Sequence, residues 1–322
     1  MNSFVITGAT GHIGNNLVRL INSVEPDAKI KVLLRRSSPA ELDGTVCEEI
    51  VGDITDMEFL AANIGSEDIV IHLACLIDMT DNRREETFNV NFGSTKAICG
   101  ISRSKNVKKF VYVGSVDAIY RDGSEDIISE PDRYFPDKIE GNYGKSKAMA
   151  SAYVLDCMRQ DPGFNAVMVL PSAVIGINDR KPSAAGRIIL DSVRGKPEFG
   201  IDGGYNFVDV TDVCNVIYRL SLSDFGGQYI ISGHNVSVRQ IYDYINRHEH
   251  LRRRPVILPV PVIRLLLPFI KQLNKVTLRA LRESHNYSSE RARRDLGYTP
   301  QPTEKTFSDT INWFKDNLAL FG

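Results

Sequence analysis

Short apolar runs rich in β-branched residues alternate with longer amphipathic segments through the first 170 residues. The apolar runs predict strands at 3–7, 30–34, 47–51, 68–74, 108–114 and 165–170. The segments between them predict helices, notably at 14–23, 56–63, 85–105 and 143–160. Because strands joined through helices run parallel to one another, this alternation predicts an α/β fold with a doubly wound parallel sheet that helices cover on both faces.

The alternation stops after residue 171, where glycine and proline become frequent and short strands such as 227–233 mix with helices. This change predicts a smaller C-terminal α+β lobe that packs at the carboxyl edge of the sheet, where open α/β folds bind ligands. We therefore expect a first domain over 1–171, to which segments at about 205–232 return, and a substrate-binding lobe made mainly of 172–322.

Composition excludes several classes of protein. A net charge of −1 and a 43% hydrophobic content describe an ordinary globular protein and give no reason to expect a nucleic-acid partner. The one basic run, Arg252 to Arg254, is short, and we expect a solvated loop there. The apolar stretch 255–270 contains Arg264 and four prolines and is too short for a membrane span.

The start of the chain and its cysteines suggest a location. Because the first residues run straight into an apolar strand, we expect no signal peptide. The five cysteines lack Cys-x-x-Cys spacing, so we expect reduced thiols and a cytoplasmic protein. His248 and His250 are two residues apart and would point to different helix faces, so we expect no metal site.

Three glycines, Gly8, Gly11 and Gly14, lie between the first predicted strand and the first predicted helix. Glycines at this place permit a tight turn and a close backbone approach, so that the helix N-terminus can hold a pyrophosphate. The pattern alone is weak evidence, but its position in a strand-helix-strand unit is strong evidence for dinucleotide binding. The first domain is therefore predicted to be a Rossmann-type dinucleotide-binding domain.

The end of the second predicted strand bears on the choice of cofactor. An acidic residue there would bind a ribose 2′-hydroxyl and repel a 2′-phosphate. This strand is followed by Arg35 and Arg36, and the next acidic residue is Glu41. Guanidinium groups suit phosphate. The two arginines favour NADP over NAD, although NAD is not excluded and surface arginines at a strand exit are the alternative interpretation.

The pattern Tyr-x-x-x-Lys occurs twice within 134–147. Tyr134 and Lys138 are separated by Pro136, which is incompatible with a regular helix interior. Tyr143 and Lys147 begin a proline-free run of good helix formers, so their side chains should share a helix face. An ammonium beside a phenol favours the phenolate, which makes Tyr143 with Lys147 the candidate acid/base pair.

These features resemble the short-chain dehydrogenase/reductase superfamily in its extended branch, and within it the dihydroflavonol reductase and 3β-hydroxysteroid dehydrogenase-like group. The sequences "TGATGHIG", "YGKSK" and the ending "LGYTP" match its patterns, so the resemblance covers nearly the whole chain. The resemblance implies Ser115 as a catalytic serine beside Tyr143 and Lys147. It also implies Asn91 as a catalytic asparagine, although the register that would select Asn89 stays open.

The resemblance also assigns residues to the cofactor. "GDITD" places Asp53 and Ile54 beside the adenine, "IHLA" places the backbone of Leu73 and Ala74 along the cofactor, and "LPSAVIG" places Pro171 and Val174 near the nicotinamide amide. The implied cofactor-binding residues are Gly8, Thr10, Gly11, His12, Ile13, Gly14, Arg35, Arg36, Asp53, Ile54, Leu73, Ala74, Tyr143, Lys147, Pro171 and Val174. The group further implies a homodimer formed through a four-helix bundle that includes the helix of Tyr143.

Three functions compete at this point. The first is an NADP(H)-dependent reductase that acts on a ketone or aldehyde, or oxidises the alcohol. The second is a sugar-nucleotide epimerase or dehydratase with the same tyrosine, and the third is a non-catalytic dinucleotide sensor. Tyr205 occupies the place where sugar-nucleotide enzymes carry an arginine for the diphosphate, and Ser115 is not followed by the Asp-Glu of dehydratases. We therefore expect a fairly apolar small-molecule substrate.

Overall fold

The computed structural model describes residues 1–38, 40–78, 81–121, 127–259, 262–263 and 286–322. The strands are β1 (Ser3–Thr7), β2 (Lys29–Leu34), β3 (Glu48–Val51), β4 (Asp68–His72), β5 (Lys109–Val113), β6 (Ile127–Ile128), β7 (Ala166–Pro171), β8 (Ala173–Ile175), β9 (Phe199–Ile201), β10 (Gly204–Asp209), β11 (Gly227–Ile231), β12 (His234–Ser237), β13 (Val256–Leu258) and β14 (Asn286–Tyr287). The helices are α1 (His12–Val24), α2 (Met57–Asn63), α3 (Arg84–Phe88), α4 (Ser94–Ser104), α5 (Asn142–Gln160), α6 (Ala184–Val193), α7 (Val210–Ser221), α8 (Val238–His248), α9 (Glu290–Leu296) and α10 (Thr303–Asp316).

Seven parallel strands form the central sheet in the order β11-β7-β5-β4-β1-β2-β3, which confirms the predicted doubly wound sheet. The chain winds outward from β1 through β2 and β3 on one side, and from β4 through β5, β7 and β11 on the other. The reversal places a crevice between the carboxyl ends of β1 and β4, the place at which such sheets bind ligands. Thr7 and His72 are paired there, at the last position of each strand.

Helices cover both faces of this sheet. On one face α1 and α7 pack over β1, β4 and β7, and the α1 side chains Leu17, Val18 and Ile21 are fully buried. These residues recur at helical spacing, which is why the segment folds as an amphipathic helix. On the other face α2, α4 and α5 bury a second cluster that includes Tyr112 and Ala148. The sheet is therefore enclosed, and only its edges and strand ends are open to ligands.

The C-terminal part of the chain forms smaller sheets and a third apolar cluster. Strands β8, β10 and β12 form a three-stranded sheet, and β9 pairs with β13. Helices α6, α8 and α10 pack together over this region. After β10 and α7 the chain returns to the central sheet at β11, beside β7.

No helix in the described part of the chain is long and apolar enough to cross a membrane. Most of the apolar stretch 255–270, including Arg264, lies outside the described residues.

Candidate active site

The glycine loop is pressed against the end of β4. Gly8 has a φ of +76°, and a Cβ there would lie 2.6 Å from the backbone nitrogen of Ala74. A Cβ on Gly14 would lie 2.2 Å from the carbonyl oxygen of Gly8. Gly11 caps the start of α1 without a side-chain hydrogen bond. No side chain caps the first amides of α1, which fits the binding of a dinucleotide pyrophosphate at this helix end.

The other predicted loop residues lie around the same turn. His12 donates from Nε2 to the carbonyl oxygen of Ile177 at 2.9 Å, which joins the loop to the segment after β8. Thr10 and Ile13 are half-buried, and Ile13 packs against the core beneath α1. The loop is therefore fixed from below and from the side of the C-terminal region.

A chain of buried hydrogen bonds connects this loop to the catalytic side of the crevice. The Thr95 hydroxyl donates to the Asn91 carbonyl at 2.7 Å, so it must accept the proton of His72 Nε2, which is 2.9 Å away. His72 Nδ1 then accepts from the Thr7 hydroxyl at 2.7 Å, and Thr7 accepts from the amide of Ala74 at 3.2 Å. This chain of donors requires a neutral imidazole with its proton on Nε2.

Burial lowers the pKa of His72 to about 3, and the positive charge of Lys147 acts in the same direction. In the unfolded chain the His72 imidazole binds a proton as the pH falls through 6.5, whereas in the folded chain it binds one only near pH 3. The contribution of His72 to the free energy of unfolding is therefore fully present above pH 6.5. It is lost as the pH falls from 6.5 towards 3, by up to about 1.4 kcal/mol per pH unit. Urea unfolding between about pH 7 and about pH 5 measures this slope. His72→Gln should reduce it; an equal slope in both proteins would contradict the assignment.

Asn91 lies in a turn of π-helix, Asn89–Gly93, between α3 and α4. Such π turns interrupt a helix and are frequent at functional sites. The buried Asn91 amide donates to the Leu76 carbonyl at 3.0 Å and to the Ser146 hydroxyl at 2.9 Å, and it accepts from the Leu76 amide. Asn89 is exposed. Between the two asparagines that the sequence left open, Asn91 is the one that contacts the helix of Tyr143.

Tyr143 and Lys147 lie in the first turns of α5, on one face as predicted from their spacing. The Lys147 ammonium is buried and donates to the Val113 carbonyl at 3.0 Å. It also lies 5.4 Å from the centre of the Tyr112 ring, within the range of a cation–π contact. Burial lowers the Lys147 pKa, but nearby Tyr112 and Cys75 outweigh burial and the pKa is raised. The amine is therefore charged.

Ser115 follows β5 and faces the same crevice. Its hydroxyl accepts from the Asp117 amide at 3.1 Å and donates to the Asp117 carboxylate at 3.3 Å. Burial raises the pKa of Tyr143 well above 10, and the neighbouring Cys75 and Asp117 side chains raise it further, whereas the Ser115 side chain lowers it. Tyr143 is therefore protonated at neutral pH, although the sequence led us to expect that Lys147 promotes the phenolate.

Tyr134 has a different environment. The turn Pro136–Lys138 follows it, and no helix joins it to Lys138. Its buried hydroxyl donates to the side-chain oxygen of Gln228 at 2.5 Å. Tyr134 thus connects the segment before α5 to the edge strand β11 and is a structural residue.

The residues predicted for the adenosine half of a cofactor are mostly exposed. Arg35 and Arg36 follow β2, and Arg35 is 84% exposed and 3.8 Å from Glu86. Hydrogen bonds from Thr55 lower the pKa of Asp53. Ile54 is half-buried. On the nicotinamide side, Leu73 and Ala74 follow β4 and are half-buried, as is Val174 in β8, whereas Pro171 is buried at the end of β7. Apart from Val174, which lies within β8, these residues lie at or just beyond the carboxyl ends of their strands.

The structure places further residues at the site, beyond those that the sequence assigned to catalysis or to the cofactor. His72 orders the hydrogen-bond chain, Ser146 links Asn91 to α5, and Asp117 shares the Ser115 hydroxyl. Burial and, to a smaller extent, the nearby carboxylate of Asp117 raise the pKa of Tyr205 to about 12. Tyr205 therefore belongs to the same crevice as Tyr143.

Comparison with known proteins agrees with this geometry. The model of the NAD dependent epimerase/dehydratase family matches residues 4–231. Sterol demethylase protein B of Methylococcus capsulatus is 28% identical over 97% of this chain and 98% of its own length. A putative dihydroflavonol 4-reductase of Synechocystis is 26% identical over 98% of this chain and 95% of its own length.

Among solved structures, UDP-glucose 4-epimerase of Thermotoga maritima superposes with a TM-score of 0.82. It is 18% identical, with 98% of this chain and 99% of that chain covered. The likeness in fold and the family match together confirm the resemblance drawn from the sequence motifs. This chain belongs to the NAD-dependent epimerase/dehydratase family, the extended branch of the short-chain dehydrogenases/reductases.

Proposed function

We propose that the protein is an NADP(H)-dependent oxidoreductase that interconverts a carbonyl group and an alcohol on a fairly apolar small molecule. The observation that carries this proposal is the arrangement of Tyr143, Lys147 and Ser115 at the carboxyl ends of the strands, next to the glycine loop. The surroundings of each of these three side chains support a specific role for it in hydride transfer.

The bound nicotinamide would supply or accept the hydride. Tyr143 holds its proton at Oη because burial raises its pKa, so it is ready to protonate the oxygen of a carbonyl substrate. Ser115 can turn its hydroxyl from Asp117 to that same oxygen, since its bond to Asp117 is a long one of 3.3 Å. The buried Lys147 ammonium stabilises the phenolate that proton transfer leaves behind.

The substrate side of the crevice supports an apolar ligand. A diphosphate buried in a pocket needs cationic partners, because an unpaired buried charge costs several kcal/mol. The position that carries an arginine for the diphosphate in sugar-nucleotide enzymes holds Tyr205 here, and the carboxylate of Asp117 raises the pKa of both Tyr143 and Tyr205. The curated relatives reported above carry names that refer to a sterol and to a dihydroflavonol, both largely apolar ring systems.

A ligand panel tests this function directly. With NADP present, thermal-shift measurements compare steroid-, flavonoid- and aryl-ketone-like compounds with UDP- and dTDP-sugars, and NADPH absorbance then reports turnover. We expect stabilisation and NADPH oxidation with members of the apolar group only. Stabilisation by nucleotide sugars alone, with interconversion of the sugar, would instead favour an epimerase.

Arg35 provides the test of cofactor preference. Because its guanidinium is exposed and only loosely paired with Glu86 at 3.8 Å, it is free to bind a 2′-phosphate. Arg35→Asp should weaken NADP binding by roughly ten- to a hundredfold, the value of one charge-assisted contact, and leave NAD binding little changed. Fluorescence titration of both cofactors measures this. Equal affinities of the unmodified protein for NADP and NAD would refute the preference.

A further inference from the structure

An apolar and basic surface lies on the two-stranded sheet of β9 and β13, which contains none of the residues assigned to catalysis. Phe199 begins β9 and is 60% exposed, and Val256 begins β13 and is 47% exposed. The two are direct partners in the sheet register, so their side chains lie side by side on one face. Val262 is a further exposed apolar residue just beyond β13. We call this region the β9–β13 surface.

The arginine run that the proposed function does not use enters this surface directly. Arg252, Arg253 and Arg254 are exposed and immediately precede β13. Arg253 is held by Glu198 at 3.7 Å and by the Ser192 carbonyl at 3.1 Å. Arg252 and Arg254 have no ion-pair partner within the described ranges. Two cations without an ion-pair partner among the described residues thus lie a few positions before the exposed Val256 in the chain.

A hollow of about 530 Å³ adjoins the same run, between the end of α8 and the start of β13. Two of its lining residues, Arg247 and Arg253, are cationic, and one, Asp243, is anionic. The lining also includes Asn246, a buried residue whose side-chain oxygen has no hydrogen-bond partner. The charged side chains of the lining thus sum to one positive charge beside an unpaired acceptor, which favours an anionic headgroup that carries a hydroxyl or ammonium donor.

We propose that the β9–β13 surface docks onto a bilayer that contains anionic lipids. Phe199 and Val256 would enter the interface, where apolar side chains gain free energy, and Arg252 and Arg254 would pair with headgroups. Because the whole chain carries a net charge of −1, its overall charge would not attract it to an anionic membrane. The attraction must come from the local charge of the arginine run. This proposal is independent of the catalytic one, because binding is measured without substrate or turnover.

Co-sedimentation of the full-length protein with vesicles tests the proposal. We expect binding to phosphatidylcholine vesicles that contain phosphatidylglycerol, weak binding to phosphatidylcholine alone, and loss of binding at high salt. The double variant R252E/R254E should bind at least about tenfold more weakly, because each basic residue near an anionic surface contributes to the affinity. The double variant F199S/V256S should also release the protein while it leaves the charges intact.

The matched control is R293E/R294E, which makes the same charge change on α9. Thermal unfolding establishes that each variant is folded. Vesicle binding that is the same in R252E/R254E as in R293E/R294E would overturn the proposal, and so would no binding to either kind of vesicle. Sedimentation velocity tests the alternative that the surface binds a second copy of the chain. If the unmodified protein is a dimer and F199S/V256S is a monomer, the surface is a dimer interface and membrane docking is refuted.

Discussion

Replacing Tyr143 with phenylalanine is expected to lower kcat by roughly two to four orders of magnitude, the usual value of a positioned acid/base group. The change removes one oxygen atom and leaves the ring, so the start of α5 and the bonds of Lys147 to Val113 should stay in place. Cofactor affinity should therefore change less than about threefold, because only the proton donor is lost. Single-turnover measurements with NADPH, together with a cofactor titration, separate these two effects.

Tyr134→Phe is the matched control, since it makes the same chemical change in the other Tyr-x-x-x-Lys pattern. It removes the hydrogen bond to Gln228, so we expect a loss of about 1 kcal/mol in the free energy of unfolding. Turnover should stay near that of the unmodified protein. If Tyr134→Phe abolished turnover and Tyr143→Phe left it intact, the choice of catalytic tyrosine would be wrong.

The sequence predicted the central sheet because most of its strands are buried on both faces and are therefore continuous apolar runs, the exposed edge strand β3 being the exception. The predicted strand 3–7 has the bounds of β1, and the other five predicted sheet strands differ from the structure by one or two residues at their ends. The largest difference is at 68–74, where β4 ends at His72. The amide of Ala74 there donates to the Thr7 side chain, a contact between distant residues that no local pattern reveals.

The catalytic side was predictable only where the chemistry lies within one helix. Tyr143 and Lys147 are four residues apart, so helical spacing alone placed them together. The interruption of the predicted helix 85–105 by the turn Asn89–Gly93 was missed, because it is fixed by the contacts of Asn91 with Leu76 and Ser146. His72 and Thr7 are 65 residues apart in sequence and meet only through the parallel pairing of β1 and β4.

Lys147→Met is expected to lower kcat by roughly two to three orders of magnitude and to weaken cofactor binding by about tenfold. The substitution keeps most of the side-chain volume and removes a buried positive charge. Replacement of a buried charge by an apolar group of similar shape is often neutral for folding. The Val113 carbonyl loses its partner, so we expect the free energy of unfolding to change by no more than about 2 kcal/mol in either direction.

Lys145→Met is the control for this experiment, because Lys145 lies on the same helix and pairs at 3.4 Å with the exposed carboxylate of Asp137. A surface pair of this kind contributes little, so turnover, cofactor affinity and stability should all stay close to those of the unmodified protein. Steady-state kinetics, cofactor titration and urea unfolding of the two variants check these expectations. The contrast is informative because a folded but inactive Lys147→Met shows that the buried ammonium serves the reaction. If instead Lys147→Met matched Lys145→Met in turnover, Lys147 would have no part in proton transfer at Tyr143.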